Sequence, residues 1–355
     1  GHEQYTRNMV TGASTASLAI ILVDARKGIL SQTRRHSFIV SLLGIKHVIL
    51  AINKFDLINY DKKVYDDIQK SFKSIYDFLS FETLQIIPIS ALNGDNVITK
   101  SNKMNWYKGP SLLKYLEGFK SENKSNNFLR VPIQYVIRKG QDFRGYAGTI
   151  VSGEIKKNQS VKVLPSGFET KVENIFDFNK KLSSAEYGKS ITFTLKDQLD
   201  VSRGDILVEK SQPCEIADQF RIDLIWMDIK SFFPSRTYLI KMENRLLKAK
   251  IFIKYKYDIE HYKKLQTSSL ELNDIASCDI SFDQKIVFET YDNNFRLGSM
   301  IIIDPETNST CGAAKIKYAL RRSSNIHLQK LEINQQQRSK LKNQKPCVLW
   351  FTGLS

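Results

Sequence analysis

The sequence predicts an α/β domain with a parallel sheet, followed by a small β-barrel, a second all-β unit and one further buried strand. Three observations lead there. Up to about residue 119, nearly continuous apolar runs alternate with amphipathic helical stretches. After residue 128, short alternating strands and frequent glycines take over. At the carboxyl end, residues 347–351 form a fresh apolar strand that runs into Thr352-Gly353-Leu354-Ser355.

In the first region the strand candidates are residues 18–24, 47–53 and 84–90. Each is apolar along nearly its whole length, as required when helices cover both faces of a sheet, so parallel pairing follows. Between the first two, Ser31 is placed to cap a helix whose Phe38, Ile39, Leu42 and Leu43 form one stripe, ended by Gly44. The next helix starts near Asp61. Its Val64, Ile68, Phe72, Ile75 and Leu79 recur at spacings of three and four, the pattern of a face packed on a sheet. A short helix after Gly109 and Pro110 presents Leu112, Leu113, Leu116 and Phe119. Residues 1–120 thus make the first domain, and the polar, aperiodic stretch 121–127 reads as a linker.

Alternation such as Val131, Ile133, Tyr135 and Ile191, Phe193, Leu195, punctuated by Gly145, Gly148, Gly153 and Gly188, predicts a barrel over 128–210. A second all-β unit covers 216–320, with strands around 220–226, 246–255, 277–288 and 299–304; Pro213 and Cys214 mark the joint. Residues 321–345 form a basic linker with seven Lys or Arg against one acid, Glu332, and 346–355 begin the last unit.

A chain of 355 residues, 42% hydrophobic, buries more than one core. Its longest apolar run, residues 18–23, is far short of the roughly 18 residues that cross a membrane. It opens on Gly1 without Met or a basic-then-apolar leader, so we expect it to begin inside a longer reading frame. Cys214, Cys278, Cys311 and Cys347 lie far apart with no C-x-x-C pair, which argues against a zinc site or disulfide framework and for a reducing cytoplasm. A formal charge of +16 would draw a polyanion, but the charge is spread along the chain. Neither nucleic acid nor membrane is expected as a partner.

The most informative cluster is Asn53-Lys54-Phe55-Asp56, at the end of an apolar strand, where open α/β sheets bind ligands. Guanine has an acceptor edge at O6 and N7 and a donor edge at N1 and N2. A site specific for it needs an amide and a carboxylate held apart at a fixed distance, and Asn53 and Asp56 supply them. Adenine has no such donor pair and would leave the carboxylate partly unpaired, so GTP is preferred over ATP. Lys54 would lay its alkyl stem along the ring. One β-α-β unit later, Ser90-Ala91-Leu92 ends the third strand in a loop whose backbone amides are placed to donate to guanine O6.

Together with Gly1-His2-Glu3-Gln4-Tyr5, these clusters make residues 1–119 resemble the GTPase domain of translation-factor GTPases, whose second switch reads Asp-x-Pro-Gly-His-x-x-Tyr. The resemblance implies that the Gly1 amide meets the γ-phosphate and that His2, the candidate catalytic residue, orients the attacking water. Within that family, residues 5–16, Asp24-Ala25-Arg26-Lys27-Gly28, Gln32-Thr33-Arg34-Arg35-His36 and residues 90–110 are most similar to the large subunit of bacterial sulfate adenylyltransferase. The end of the chain, from Lys345 to Ser355, looks like the start of adenylylsulfate kinase, with Gly353 as the first glycine of a phosphate-binding loop.

The resemblance thus implies an N-terminally truncated α/β P-loop GTPase domain, two β-barrel domains and the start of a second α/β P-loop domain. It further implies GTP with Mg²⁺, whose ligands would lie upstream of Gly1, and ATP for the kinase. The expected partner is a small catalytic ATP sulfurylase subunit. The alternative is a translation elongation factor-type GTPase binding aminoacyl-tRNA. Without an upstream strand, residues 18–24 would be an exposed, aggregation-prone sheet edge, and residues 1–120 alone are expected neither to stay soluble nor to hold GTP.

Overall fold

The computed structural model describes residues 9, 12–13, 16–120, 128–139, 143–178, 180–261 and 263–320. The expectations for Gly1, His2, the 121–127 linker, the 321–345 segment and Gly353 fall outside these.

The first three strands are β1 (Leu18–Asp24), β2 (His47–Asn53) and β3 (Thr83–Pro88). They pair in parallel in the order β1-β2-β3. Helix α1 (Ser31–Leu42) connects β1 to β2, and α2 (Lys62–Tyr76) connects β2 to β3. The central strand is buried on both faces, as its unbroken apolar run requires. Val48, Leu50 and Ile52 pack with Ile68, Phe72 and Ile75 of α2, while Ile49 and Ala51 pack with Ile87, Ile89 and Leu112 on the other side. Asp61 caps α2, accepting a 2.8 Å hydrogen bond from the Lys63 amide. On β1 the two faces differ: Ile21 and Val23 are buried, whereas Ile20 and Leu22 are exposed, since no described element covers that side.

Ser31 does not cap α1. Leu30 holds the cap position, and the Ser31 hydroxyl instead donates to Glu260 at 2.8 Å. The reason is tertiary, because α1 docks on the second barrel. Ile39 and Leu42 pack with Ile225, Met227 and Ile275, the Phe38 and Tyr257 rings lie 5.2 Å apart, and the Tyr291 hydroxyl donates to the Leu43 carbonyl. The helix therefore buries two faces, one against the sheet and one against the barrel. After the short helix α3 (Leu112–Gly118), the chain becomes all β.

The next strands are β4 (Arg130–Lys139), β5 (Phe143–Thr149), β6 (Glu154–Lys156), β7 (Ser160–Leu164), β8 (Phe168–Asp177), β9 (Lys180–Leu182), β10 (Ser184–Glu186), β11 (Ser190–Leu195) and β12 (Ile206–Glu209). Among the described residues six of them close into a barrel in the order β11-β5-β4-β12-β7-β8, with β8 returning to β11. Closure removes the sheet edges that an open β-domain would expose. Val131 and Ile133 point into its core as alternation demands, but Tyr135 is 65% exposed. A bulge between Ile133 and Tyr135 inserts one residue, flips the parity and turns Val136 inward instead.

The last strands are β13 (Glu215–Trp226), β14 (Thr237–Met242), β15 (Arg245–Asp258), β16 (Lys263–Leu265), β17 (Ile275–Phe288), β18 (Ser299–Ile303) and β19 (Thr310–Ala319). Six of these also close, in the order β14-β18-β19-β13-β17-β15, around Trp226, Phe220, Tyr238 and Phe232. The sequence pattern marks neither β14 nor β19 as a strand. In β19, Thr310-Cys311-Gly312-Ala313-Ala314 has little β character of its own. Gly312 is used because a Cβ there would sit 2.7 Å from the Ile225 carbonyl, so the neighbouring strand sets the residue.

The two barrels are joined by a buried ion pair. Arg130 Nε donates to Glu289 Oε1 at 2.8 Å, with side chains 4% and 11% exposed. The Arg130 guanidinium also donates to the Leu129 carbonyl. Cys214 lies 3.8 Å from the same carboxylate oxygen, and burial pushes its thiol up to about 12. Cys214, Cys278 and Cys311 are free thiols. No helix among the described residues is long and apolar enough to cross a membrane.

Candidate functional site

The site forms where the parallel strands end. Register places Asp24 opposite Asn53 and Ile52 opposite Pro88, so the loops after β1, β2 and β3 leave the sheet side by side at its carboxyl edge. Directly after β2 the chain reverses through Lys54, whose φ of 68° is left-handed, into a short 3-10 turn, Phe55–Ile58. A non-glycine residue holds that conformation only when its surroundings fix it. Here Asn53 does so, because its Oδ1 accepts from the Lys54 amide at 2.7 Å and from the Ala91 amide at 2.9 Å.

The structure therefore brings together the two clusters that are 34 residues apart in sequence. The Ser90 hydroxyl donates to Asp56 Oδ1 at 2.7 Å, and the Asn93 amide donates back to the Ser90 oxygen. Among the described residues no hydrogen bond reaches Asp56 Oδ2 or Asn53 Nδ2, which leaves one carboxylate acceptor and one amide donor available. Of the three loop amides, Ser90 donates to the Asp95 carbonyl and Ala91 to Asn53, so among the described residues only that of Leu92 makes no hydrogen bond. The Leu92 side chain is 86% exposed.

Two carboxylates outside the Asn53–Asp56 and Ser90–Leu92 clusters, Asp24 and Asp95, complete the electrostatics. Asp24 takes a 2.9 Å ion pair from Lys54 Nζ and a two-point contact from Arg26, at 3.0 and 2.7 Å. Arg26 holds the Asp24 carboxyl far below the usual carboxylate range; burial opposes this and Lys54 adds to it. Asp95 accepts from Ser101, Tyr60 and Lys103. Burial pushes its carboxyl up, but those three donors outweigh burial and hold it below its ordinary 3.8. Both folded values are depressed, so the stability they contribute is present above 3.8 and is lost only as pH falls through the lower, folded values. Both carboxylates stay ionised throughout the neutral range. The position of Asp24 at the end of the first apolar run, like that of Asn53 at the end of the second, is the signal in the sequence for Asp24. Nothing local marks Asp95, whose partners lie across two loops.

Comparison with known proteins follows the same division of the chain. The family Elongation factor Tu GTP binding domain matches residues 1–137, and GTP-eEF1A C-terminal domain-like matches residues 219–317. The solved structure of Sup35 complexed with GDP shares the fold, with a TM-score of 0.52 at 20% identity over 88% of this chain and 81% of that one. Two similar relatives are the bifunctional enzyme NodQ of Rhizobium sp. (strain N33), 43% identical, and the bifunctional enzyme CysN/CysC of Xylella fastidiosa, 42% identical. Each matches 100% of this chain, which spans 55% and 57% of their respective lengths. The sulfate adenylyltransferase subunit 1 of Saccharophagus degradans is 42% identical over 91% of this chain and 69% of its own length. A parallel sheet with a two-loop site, two closed barrels and identity at this level over two thirds of a relative place the chain in one group: it belongs to the sulfate adenylyltransferase subunit 1 family of translation-factor-type GTPases.

Proposed function

We propose that the protein is the GTP-binding and GTP-hydrolysing subunit of sulfate adenylyltransferase, coupling GTP hydrolysis to the reaction of ATP with sulfate to give adenylylsulfate and diphosphate. It would be fused to an adenylylsulfate kinase that phosphorylates the product with a second ATP. The observation that carries the GTP reading is the free Asp56 oxygen and free Asn53 amide at the carboxyl end of β2, each residue held by a hydrogen bond from the Ser90–Ala91 loop.

Each residue present has a part in this reading. The Asp56 carboxylate accepts from guanine N1 and N2, and Asn53 Nδ2 donates to the opposite edge. Leu92 N–H donates to O6, while the Lys54 stem and Leu92 side chain cover the two ring faces. Asp24 anchors the Lys54 head so that the stem is already extended. Gly1 and His2 would serve the γ-phosphate and the attacking water. Bound GTP, with Mg²⁺, supplies the bond whose hydrolysis drives the coupled step. No described residue is proposed as a metal ligand. Gly353 would open the kinase's ATP loop.

The partner implied is the small catalytic subunit that adenylylates sulfate, and the compartment the cytoplasm. When the full-length protein is purified from its own cells, a second subunit that forms adenylylsulfate from ATP should come with it, and GTP should stimulate that synthesis. Recovery of aminoacyl-tRNA instead, with no such synthesis, would move the protein to elongation-factor chemistry. His2→Ala should slow GTP hydrolysis while leaving GTP affinity in place, because positioning a water acts on the transition state. An equal loss of affinity would make His2 structural.

A further inference from the structure

We infer that Tyr60 and Asp95 are positioning residues for base specificity, latching the turn that carries Asp56 to the loop that carries Ser90. The inference rests on the guanine reading above and concerns groups that do not touch the base. Four links close a ring through both loops. Ser90 Oγ donates to Asp56 Oδ1, and the Ser90 amide donates to the Asp95 carbonyl at 3.1 Å. The Tyr60 hydroxyl donates to Asp95 Oδ2 at 2.7 Å, and the Tyr60 amide returns to the Phe55 carbonyl at 3.0 Å, beside Asp56.

The latch is reinforced on every side. Lys103 Nζ donates to the Tyr60 oxygen at 3.1 Å and lies 5.0 Å from the centre of its ring. Asn93 Nδ2 donates to the same hydroxyl, Ser101 holds the other Asp95 oxygen at 2.7 Å, and Trp106 Nε1 donates to the Tyr60 carbonyl. The backbone needs this support. Asn59 and Tyr60 are both left-handed, with φ of 52° and 58°, a pairing that non-glycine residues keep only when other contacts fix it. With the Tyr60 hydroxyl gone, this turn is free to relax. The Asp56 carboxylate four residues earlier then keeps its Ser90 bond but loses its fixed angle to the base.

A carboxylate that wanders loses most where two parallel hydrogen bonds are required, and guanine requires two while hypoxanthine, lacking the 2-amino group, offers one. The test uses full-length Tyr60→Phe and Asp95→Asn proteins, with dissociation constants for GDP and IDP and a thermal melt. GDP should weaken about tenfold, the loss of one charge-assisted bond, while IDP changes less than about twofold. The GDP-to-IDP preference falls and the melt stays close to that of the parent. Equal weakening for both nucleotides, or no change in either, overturns the inference. Tyr60→Phe removes one oxygen and keeps the ring, so it remains informative if Asp95→Asn fails to fold. Asp56→Asn measured in parallel separates the two levels. If it gains no affinity for XDP, the guanine reading falls and this inference with it. If it gains XDP while Tyr60→Phe keeps its parent preference, only the latch is wrong.

Discussion

Asp56→Asn should reverse the base preference of the full-length protein, weakening GTP by at least about a hundredfold and raising affinity for xanthosine triphosphate. Two hydrogen bonds to an ionised acceptor are at stake, each worth about 1.5–3 kcal/mol, and 1.4 kcal/mol is one factor of ten. An asparagine at this position presents an N–H to the guanine 2-amino group, donor against donor. Xanthine carries a carbonyl there and accepts from that N–H. The local fold should survive, because Asn Oδ1 can still take the 2.7 Å bond from Ser90 that Asp56 now takes. Competition binding with GTP and XTP checks this directly. An unchanged preference would show that Asp56 does not face the base.

The largest effect on stability should come from Glu289→Ala. Its carboxylate neutralises Arg130, whose side chain is 4% exposed and belongs to the other barrel. Removing one member of a buried pair leaves the remaining charge without compensation, at a cost of about 3–5 kcal/mol. Replacing both, as in Arg130→Met with Glu289→Leu, removes the desolvated charges together and should recover most of that loss. Urea unfolding followed by tryptophan fluorescence reports on it, since Trp226 lies in the core of the second barrel. A loss under about 1 kcal/mol in the single variant would mean that water reaches Arg130 and that the pair does not pin the barrels.

The sequence by itself determined the elements whose signal is local. β1 and β2 run over the residues that their apolar runs mark, and for β2 the reason is that a strand covered on both faces has little room for polar residues. The α2 stripe of Ile68, Phe72 and Ile75 is buried as its period requires, and Asp61 caps it. Residue types and spacing also singled out Asn53, Asp56 and Ser90, which the fold brings into one cluster.

Tertiary structure alone decided what depends on a partner distant in sequence. Ser31 has the chemistry of a cap, yet Glu260, 229 residues away, takes its hydroxyl, because α1 must also bury a face against the barrel. Alternation put Tyr135 inside, and one inserted residue in the β4–β5 pairing put it outside, a shift that no window of sequence contains. β19 became a strand through its neighbours on both sides rather than through its own residues. Asp24, Tyr60 and Asp95 entered the site for the same reason. Their roles are hydrogen bonds across loops, and such bonds exist only once strand order and register have set those loops side by side.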